Sequence, residues 1–355
     1  MTGRGIDQVM PQSNDPRLYE PYVRNANQYV DLAEQEHGEI PDSVGYEYIW
    51  GDALEHFDEM QPDFKLINLE TAVTTAESHL EGKGIHYRMH PENVRVLTEA
   101  GIDVCSLANN HVLDWNQSGL SETLNTLNNA GIGFTGAGRN ISQAREPFAY
   151  ETQNGNRLFV FSAGTQTSGI PLSWQATNSN PGVWLIEKLS KNEIDHVSKY
   201  IQSNSEPEDV IVFSIHWGDN WGYEIPDSQR RFAHALIDEA GVDVIHGHSS
   251  HHVKGIEVYK QKLILYGCGD FITDYEGISG KEQYRDDLSF MYFPDIESAT
   301  GNLVNLTLIP TKIRQFQITN PSDSEIEWLE KVLNREGKNL GTSVTRSNGN
   351  LELQW

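Results

Sequence analysis

From Asp63 onward the chain alternates between apolar runs of strand length and amphipathic stretches of helical length. The runs are Phe64–Leu69, Val104–Ala108, Arg157–Ala163, Val210–His216, Val242–His246 and Leu263–Tyr266. Between them lie helical stretches at Glu92–Ala100, Leu120–Ala130, Glu193–Ser203 and Ser228–Ala240. This alternation predicts βα units. Ser190 and Glu193 have capping-box spacing, and Gly101 and Gly241 stop two of the helices. Asn154-Gly155 predicts a hairpin turn between Phe148–Thr152 and Arg157–Phe161. Before Asp63, four prolines (Pro11, Pro16, Pro21, Pro41) predict loops around one helix at Tyr22–Glu36, and Met1–Gly5 reads as a loop. Past Leu288 the pattern becomes antiparallel: strands at Leu288–Phe293, Leu303–Pro310 and Ile313–Ile318, a helix at Ser324–Arg335, then a hairpin around Asn348-Gly349-Asn350. No repeat or linker divides the chain, so the pattern predicts one α/β domain with a second sheet. Residues 1–320 form its body, and 321–355 add a helix and hairpin to the same domain.

The strand ends carry the candidate chemistry. One run ends in Glu70, a second in Asn109-Asn110-His111, a third in His216, and a fourth leads through His246-Gly247-His248 to Ser249-Ser250-His251-His252. In α/β sheets ligands bind beyond the carboxyl ends of the strands. Carboxylate, amide oxygen and neutral imidazole suit Mn, Fe or Zn. Two such ions about 3.5–4 Å apart clamp an oxyanion and activate a bridging water. Each residue alone has an ordinary explanation. A strand-end histidine is commonly just hydrogen-bonded, Glu70 is a plausible helix cap, Asn109-Asn110 a turn, and the histidine tract a surface feature. Their joint occurrence at four strand ends favours a site. There is no Gly-x-Ser-x-Gly elbow and no phosphate-binding Gly-rich loop, and Gly136-Ala137-Gly138 lacks the third glycine of a dinucleotide fingerprint.

Charge narrows the partners. The formal net charge is −25, which repels phosphate backbones and argues against nucleic acid as a partner. An anionic polymer or peptide substrate needs a local positive focus, and a bound cation supplies one. The two cysteines, Cys105 and Cys268, sit in apolar runs and predict buried thiols rather than a disulfide framework.

At these residues the sequence resembles the CapA family of capsule and poly-γ-glutamate synthesis, itself similar to calcineurin-like metallophosphoesterases. The matching segments are Asn68-Leu-Glu70, Ala108-Asn-Asn-His111 with Asp114, His216-Trp-Gly218, Gly247-His248-Ser-Ser-His251 with Gly255-Ile-Glu257, and Leu265-Tyr-Gly-Cys-Gly-Asp-Phe271. The resemblance implies an αββα four-layer sandwich of two mixed sheets flanked by helices. It implies Glu70, Asn110, His216, His248 and His251 as ligands of two divalent ions. His111 is implied as general acid or oxyanion contact, with Asp114 orienting it, and Arg4 and Asn109 as substrate contacts. The chain departs from the phosphoesterases in having Asn-Leu-Glu where they carry Asp-x-His, so phosphatase activity does not follow from fold alone. Relatives open with an apolar strand ending in Gly-Asp before a loop like Met1–Asp7. The expectation is that this first core strand, bearing one ligand, lies upstream of Met1. The implied function is hydrolysis or transfer at an amide (γ-glutamyl) or phosphoester bond, with a metal-dependent peptide epimerase as a variant. The alternative is a non-catalytic accessory subunit working with capsule synthase subunits. As written the sequence predicts a cytoplasmic protein; an N-terminal anchor upstream would make it membrane-associated.

Overall fold

The computed structural model describes residues 1–152 and 155–355. At its centre is a seven-stranded sheet in which Leu185–Ile186, Arg157–Thr165, Val210–His216, Val244–His248 and Lys262–Leu265 run parallel in that order. Ile256–Tyr259 closes one edge antiparallel, and Phe148–Glu151 pairs antiparallel with Arg157–Val160. That second pairing is the expected hairpin; Asn154 of its turn lies outside the described residues. Val210–His216 is buried at every position, as expected of a strand covered on both faces.

Alternate side chains sort to the two faces. Ile211, Phe213, Ile215 and Ile245 pack with helices Lys191–Gln202 and Asp227–Ala240. Val212 and Val244 pack on the opposite side, in a core that includes Phe290, Leu308, Leu329 and Val332. The helices begin and end as the punctuation predicts. Ser190 caps the first through the Glu193 amide, and Gly241 ends the second in the left-handed region at φ 73°.

A three-stranded parallel sheet (Leu66–Asn68, Val104–Ser106, Gly133–Thr135) and a five-stranded sheet stand beside the central one. The described residues thus form three main sheets rather than two. In the five-stranded sheet the expected break at Pro310 does not occur, because Asn302–Arg314 is one strand. Leu288–Glu297 pairs with this strand straight through Pro310, which stands opposite Phe290, but on the other side the partners pair only at Thr307–Leu308 and Lys312–Arg314, which leaves a gap at Pro310 where a missing N–H interrupts no ladder. Helix Ala53–Met60 was not legible in its short, charged sequence, and Gly5–Val9 forms a helical turn close after the expected loop. The Asp323–Gly337 helix buries Ile326, Leu329, Val332 and Leu333 in the main core, and hairpin Ser343–Ser347/Asn350–Gln354 adds to Asn302–Arg314. No helix among the described residues is long and apolar enough to cross a membrane.

The Asp323–Gly337 helix starts in a capping box, where the Glu325 carboxylate accepts from the Ser322 amide at 2.8 Å and also meets Lys312 and Arg285. Burial alone would raise its pKa, but Lys312, Ser322 and Arg285 pull it down to about 2. A depressed carboxylate stabilises the fold above its unfolded pKa and loses that effect as pH falls through the folded value. Glu325→Gln is expected to cost about 1–2 kcal/mol at pH 7, from the lost cap and partly solvated ion pairs. The gap between the two proteins should narrow as pH falls from 5 towards 2. Urea unfolding of both across that range checks this; a gap independent of pH contradicts it.

Candidate active site

Two neighbouring strands build one wall of the site. Val210–His216 and Val244–His248 pair in parallel with Ser214 opposite His246 and His216 opposite His248. With a period of two, these four polar side chains share one face. Ser214 Oγ lies 3.0 Å from both His246 Nδ1 and His248 Nε2. His216 Nδ1 lies 2.7 Å from His248 Nδ1, so one of those nitrogens carries a shared proton. Gly247 is required between the two histidines, because a Cβ there would stand 2.4 Å from the Leu265 carbonyl oxygen. Burial is the main force keeping the imidazoles neutral. It pushes His216 down to about 3, with His251 and Lys83 adding to the effect, and His246 to about 4. His248 is likewise held well below the ordinary range, first by burial and then by its two histidine neighbours. Neutral imidazole is the ligating form.

The turn after His248 holds backbone strain: Ser249 sits at φ 116°, and its hydroxyl donates to the Gly218 carbonyl at 3.0 Å. The turn delivers His251, whose Nδ1 lies 3.0 Å from Asp270 and whose Nε2 lies 2.9 Å from the Asn220 amide. Burial opposes the His251 charge, but the Asp270 carboxylate wins and its pKa is raised.

The opposite wall comes from the three-stranded sheet. Glu70 follows Leu66–Asn68 and is held by the Asn68 amide at 2.9 Å. One Glu70 oxygen lies 3.9 Å from His216 Nε2. After Val104–Ser106 come Asn109, Asn110 and His111. His111 Nδ1 meets Asp114 at 2.7 Å, and the Asp114 oxygen involved also accepts from the Tyr87 amide at 2.7 Å. A carboxylate on Nδ1 fixes the proton there and leaves Nε2 as the free nitrogen.

Lys83 joins this pair and was not legible in the sequence, where it is one lysine in a glycine-flanked loop. Its Nζ donates to the Asn110 carbonyl at 2.6 Å and contacts Asp114, and it stands 3.0 Å from His111 Nδ1. Burial lowers the Lys83 pKa although Asp114 opposes this. Burial first, then Lys83, lowers His111, while Lys83 and His111 overcome burial to lower Asp114. Asp270 and Ser214 are the other contributors that the strand-end pattern missed. Ser214 left one trace, a hydroxyl two residues before His216 in an otherwise apolar strand.

Two expected substrate contacts are placed differently. Asn109 is fully buried, donates to Asn68 Oδ1 at 3.1 Å and the Leu69 carbonyl at 2.9 Å, and accepts from the His111 amide. It ties the two strand ends together and has no face towards solvent. Arg4 is also buried. It pairs with Asp274 at 2.6 Å and Glu20 at 2.9 Å and lies over the ring of Tyr29. Its charge is spent on two internal carboxylates, so both residues are corrected from substrate contacts to structural clamps.

Asn110 Oδ1 and His216 Nε2 are buried without a hydrogen-bond partner, an arrangement that ordinarily carries a cost. In contrast, both ring nitrogens of His248 and of His251 are engaged by protein groups. Among the described residues no three His, Cys, Asp or Glu side chains converge as a cation site. The free donors are therefore one carboxylate, one amide oxygen and one imidazole, a chemically suitable set for a single divalent ion.

Comparison with known proteins agrees with the family resemblance. The profile of the family described as "Bacterial capsule synthesis protein PGA_cap" matches residues 1–275. The chain belongs to this family. It is 41% identical over 355 residues to a protein of Mycobacterium tuberculosis named "Probable polyglutamine synthesis accessory protein", covering 99% of this chain and 93% of that one. It is 32% identical over 196 residues to the capsule biosynthesis protein CapA of Bacillus anthracis, spanning 54% of this chain and 45% of that protein. The PGA biosynthesis protein CapA of Bacillus subtilis is 30% identical over 213 residues, covering 60% and 53% of the two chains. The PGA_cap match contains every candidate site residue and ends just beyond the Asp274 that pairs with Arg4.

Two substitutions probe this arrangement. Lys83→Met removes a cation that depresses the His111 pKa, so the His111 titration midpoint followed by NMR should rise; an unchanged midpoint contradicts the contact. Arg4→Met leaves Asp274 and Glu20 buried without their counter-charge and should cost about 3–5 kcal/mol in urea unfolding. A loss below about 1 kcal/mol, the range of an exposed pair, would return Arg4 to the substrate-contact role.

Proposed function

We propose that this family member is a divalent-metal-dependent hydrolase or transferase acting on an amide bond of the γ-glutamyl type, or on a phosphoester, in capsule-polymer synthesis. The observation that carries this reading is the pair of buried, unpartnered donors, Asn110 Oδ1 and His216 Nε2, with Glu70 beside the imidazole. Glu70, Asn110 and His216 would hold one Mn, Fe or Zn ion; a second ion would need His248 and His251 to give up the contacts they make with Ser214, His216, Asn220 and Asp270. When bound, such an ion supplies Lewis-acid polarisation and lowers the pKa of a water. The αββα sandwich of the metallophosphoesterases is the proposed parent architecture.

The chain's own groups have definite tasks in this reading. Asp114 and the Tyr87 amide hold the His111 ring, leaving Nε2 to accept a proton from a nucleophile or return one to a leaving amine or alkoxide. Lys83, paired with Asp114 and bound to the Asn110 carbonyl, holds the His111–Asp114 pair against the Asn110 turn. Asn109 locks the Glu70 and His111 strand ends in mutual register.

A second reading is a non-catalytic accessory subunit of a polymer synthase. It is favoured by the name of the Mycobacterium relative and by the engaged nitrogens of His248 and His251. Elemental analysis of the purified protein separates the two. The enzyme reading expects stoichiometric Mn, Fe or Zn, lost in Glu70→Gln and His216→Ala. It further expects His111→Ala to retain the ion while turnover of a γ-glutamyl peptide or phosphoester panel falls about 10²–10⁴-fold. Metal-free protein that still raises polymer yield from synthase-bearing membranes would establish the accessory role instead.

A further inference from the structure

His252 belongs to the histidine tract but not to the donor set. Its Nε2 accepts from the Gly222 amide at 3.1 Å and its Nδ1 donates to the Val253 carbonyl at 3.0 Å, which fixes a neutral ring. What this ring braces is the loop 218–223. His251 braces it twice more: its amide donates to the Asn220 carbonyl at 3.0 Å, and its Nε2 meets the Asn220 side-chain amide at 2.9 Å. The Ser249 hydroxyl holds the Gly218 carbonyl, and the Gly218 amide donates to the Thr167 hydroxyl at 3.0 Å. Gly222 lies at φ 112° with open space where a Cβ would stand, so backbone conformation alone favours glycine there.

Trp221 stands in the middle of this braced loop. Its ring is 5.3 Å from that of His251, and it lies 6.2 Å from the His252 ring at an interplanar angle of 20°. Tyr284, from a second loop, is 5.5 Å from Trp221 and 4.7 Å from His252. Trp221 and Tyr284 belong to none of the three apolar cores, and both are partly exposed. Core packing therefore does not account for them. The Lys281 ammonium is 5.2 Å from the centre of the indole; this side chain is exposed and makes no ion pair among the described residues. Asp219 and Glu282, adjacent in sequence to these residues, oppose loose binding of any polyanion. A ligand must bring an apolar body as well as a negative charge.

A preorganised, half-exposed indole beside a cation suits a unit with a short hydrocarbon body and a carboxylate. A γ-linked glutamyl residue has both: its two methylenes lie in the main chain, and its α-carboxylate is free beside them. An α-linked glutamyl residue instead carries its carboxylate at the end of a mobile side chain. A neutral sugar would use the indole and leave Lys281 without a partner. We propose that Trp221, Tyr284 and Lys281 form a subsite at the rim of the candidate active site, where one unit of a γ-linked glutamyl chain lays its methylenes on the indole and its α-carboxylate on the ammonium. This inference rests on the γ-glutamyl reading of the substrate given above, but not on the metal or on the bond-breaking step.

Calorimetric titration of the purified protein with γ-linked tetraglutamate tests it. The comparison ligands are α-linked tetraglutamate, a γ-linked tetramer amidated at every α-carboxylate, and a neutral glucose oligosaccharide. The γ-linked acid should bind tighter than all three. Trp221→Ala should weaken its binding about fivefold to tenfold through the lost aromatic contact, with native circular dichroism. Lys281→Gln should weaken it about threefold, the scale of an exposed ion pair, while leaving the amidated tetramer unaffected. Lys281 is exposed and its side chain takes part in none of the hydrogen bonds of the loop, so this variant carries the test independently of folding. No binding by the unaltered protein, or equal affinity in all three proteins, overturns the proposal. An equal loss for the amidated tetramer in Lys281→Gln overturns the carboxylate contact, and tighter binding of the oligosaccharide overturns the glutamyl occupant. Protein that binds the γ-linked acid through Trp221 but holds no metal and turns nothing over sinks only the proposed chemistry. Turnover of a γ-glutamyl dipeptide alongside indifference to both substitutions sinks only the subsite.

Discussion

The in-register parallel pairing of Val210–His216 with Val244–His248 is the constraint on which the site depends. A one-residue slip would turn Ser214, His216, His246 and His248 into the helical layer and bring Ile215 and Ile245 out in their place. The register is held by apolar content on the far face, where Phe213, Ile215 and Ile245 pack against two amphipathic helices. Hydrophobic burial on one side of the sheet therefore sets the positions of polar groups on the other. Gly247 and the strained Ser249 are local consequences, since the chain must pass close beneath Trp217 and Tyr266 and then turn sharply to present His251.

Electrostatics in the site follows from burial rather than from net charge. The protein carries a large excess of carboxylates, yet His216, His246 and His248 are held neutral chiefly by loss of solvent, with His251 and Lys83 adding to the effect on His216 and the other two histidines adding to that on His248. Lys83 and Asp114 make the complementary case, where two charges survive in the interior because each is within reach of the other and of His111. One wall of the site thus carries neutral imidazoles and the other the Lys83–Asp114–His111 cluster. The division falls between the two sheets, with Glu70 and Asn110 carried on the same side as His111.

Much of this was legible in the sequence. The strands of the central sheet and the helices at 191–202 and 227–240 have strong periodicity and clear caps, so pattern and packing agree. The strand-end positions of Glu70, Asn110, His111, His216, His248 and His251 follow from the same pattern. The rest was hidden for physical reasons. Lys83 and Asp270 reach the site from loops, where no periodicity marks a residue as inward-facing. Arg4 and Asn109 carry groups typical of substrate contacts, but their partners lie about 270 and 40 residues away in sequence. Only tertiary structure shows that these polar groups are already satisfied. Asn302–Arg314 reads as two strands because proline normally ends one, and the gap between its neighbours appears only once the sheet is assembled.

The Arg4 clamp also constrains how the molecule is made. Arg4 and the Gly5 amide bind Asp274, and Met1 binds Ile272, so residues 1–5 find these partners only once about 270 further residues have been made. At ribosomal rates of about 5–20 residues per second, this wait is on the order of 15–55 s. During it a guanidinium destined for the interior stays in water, and the opening segment cannot adopt its final conformation. Vectorial synthesis therefore lets the central sheet assemble as it emerges, while residues 1–5, made before it, lock only after it.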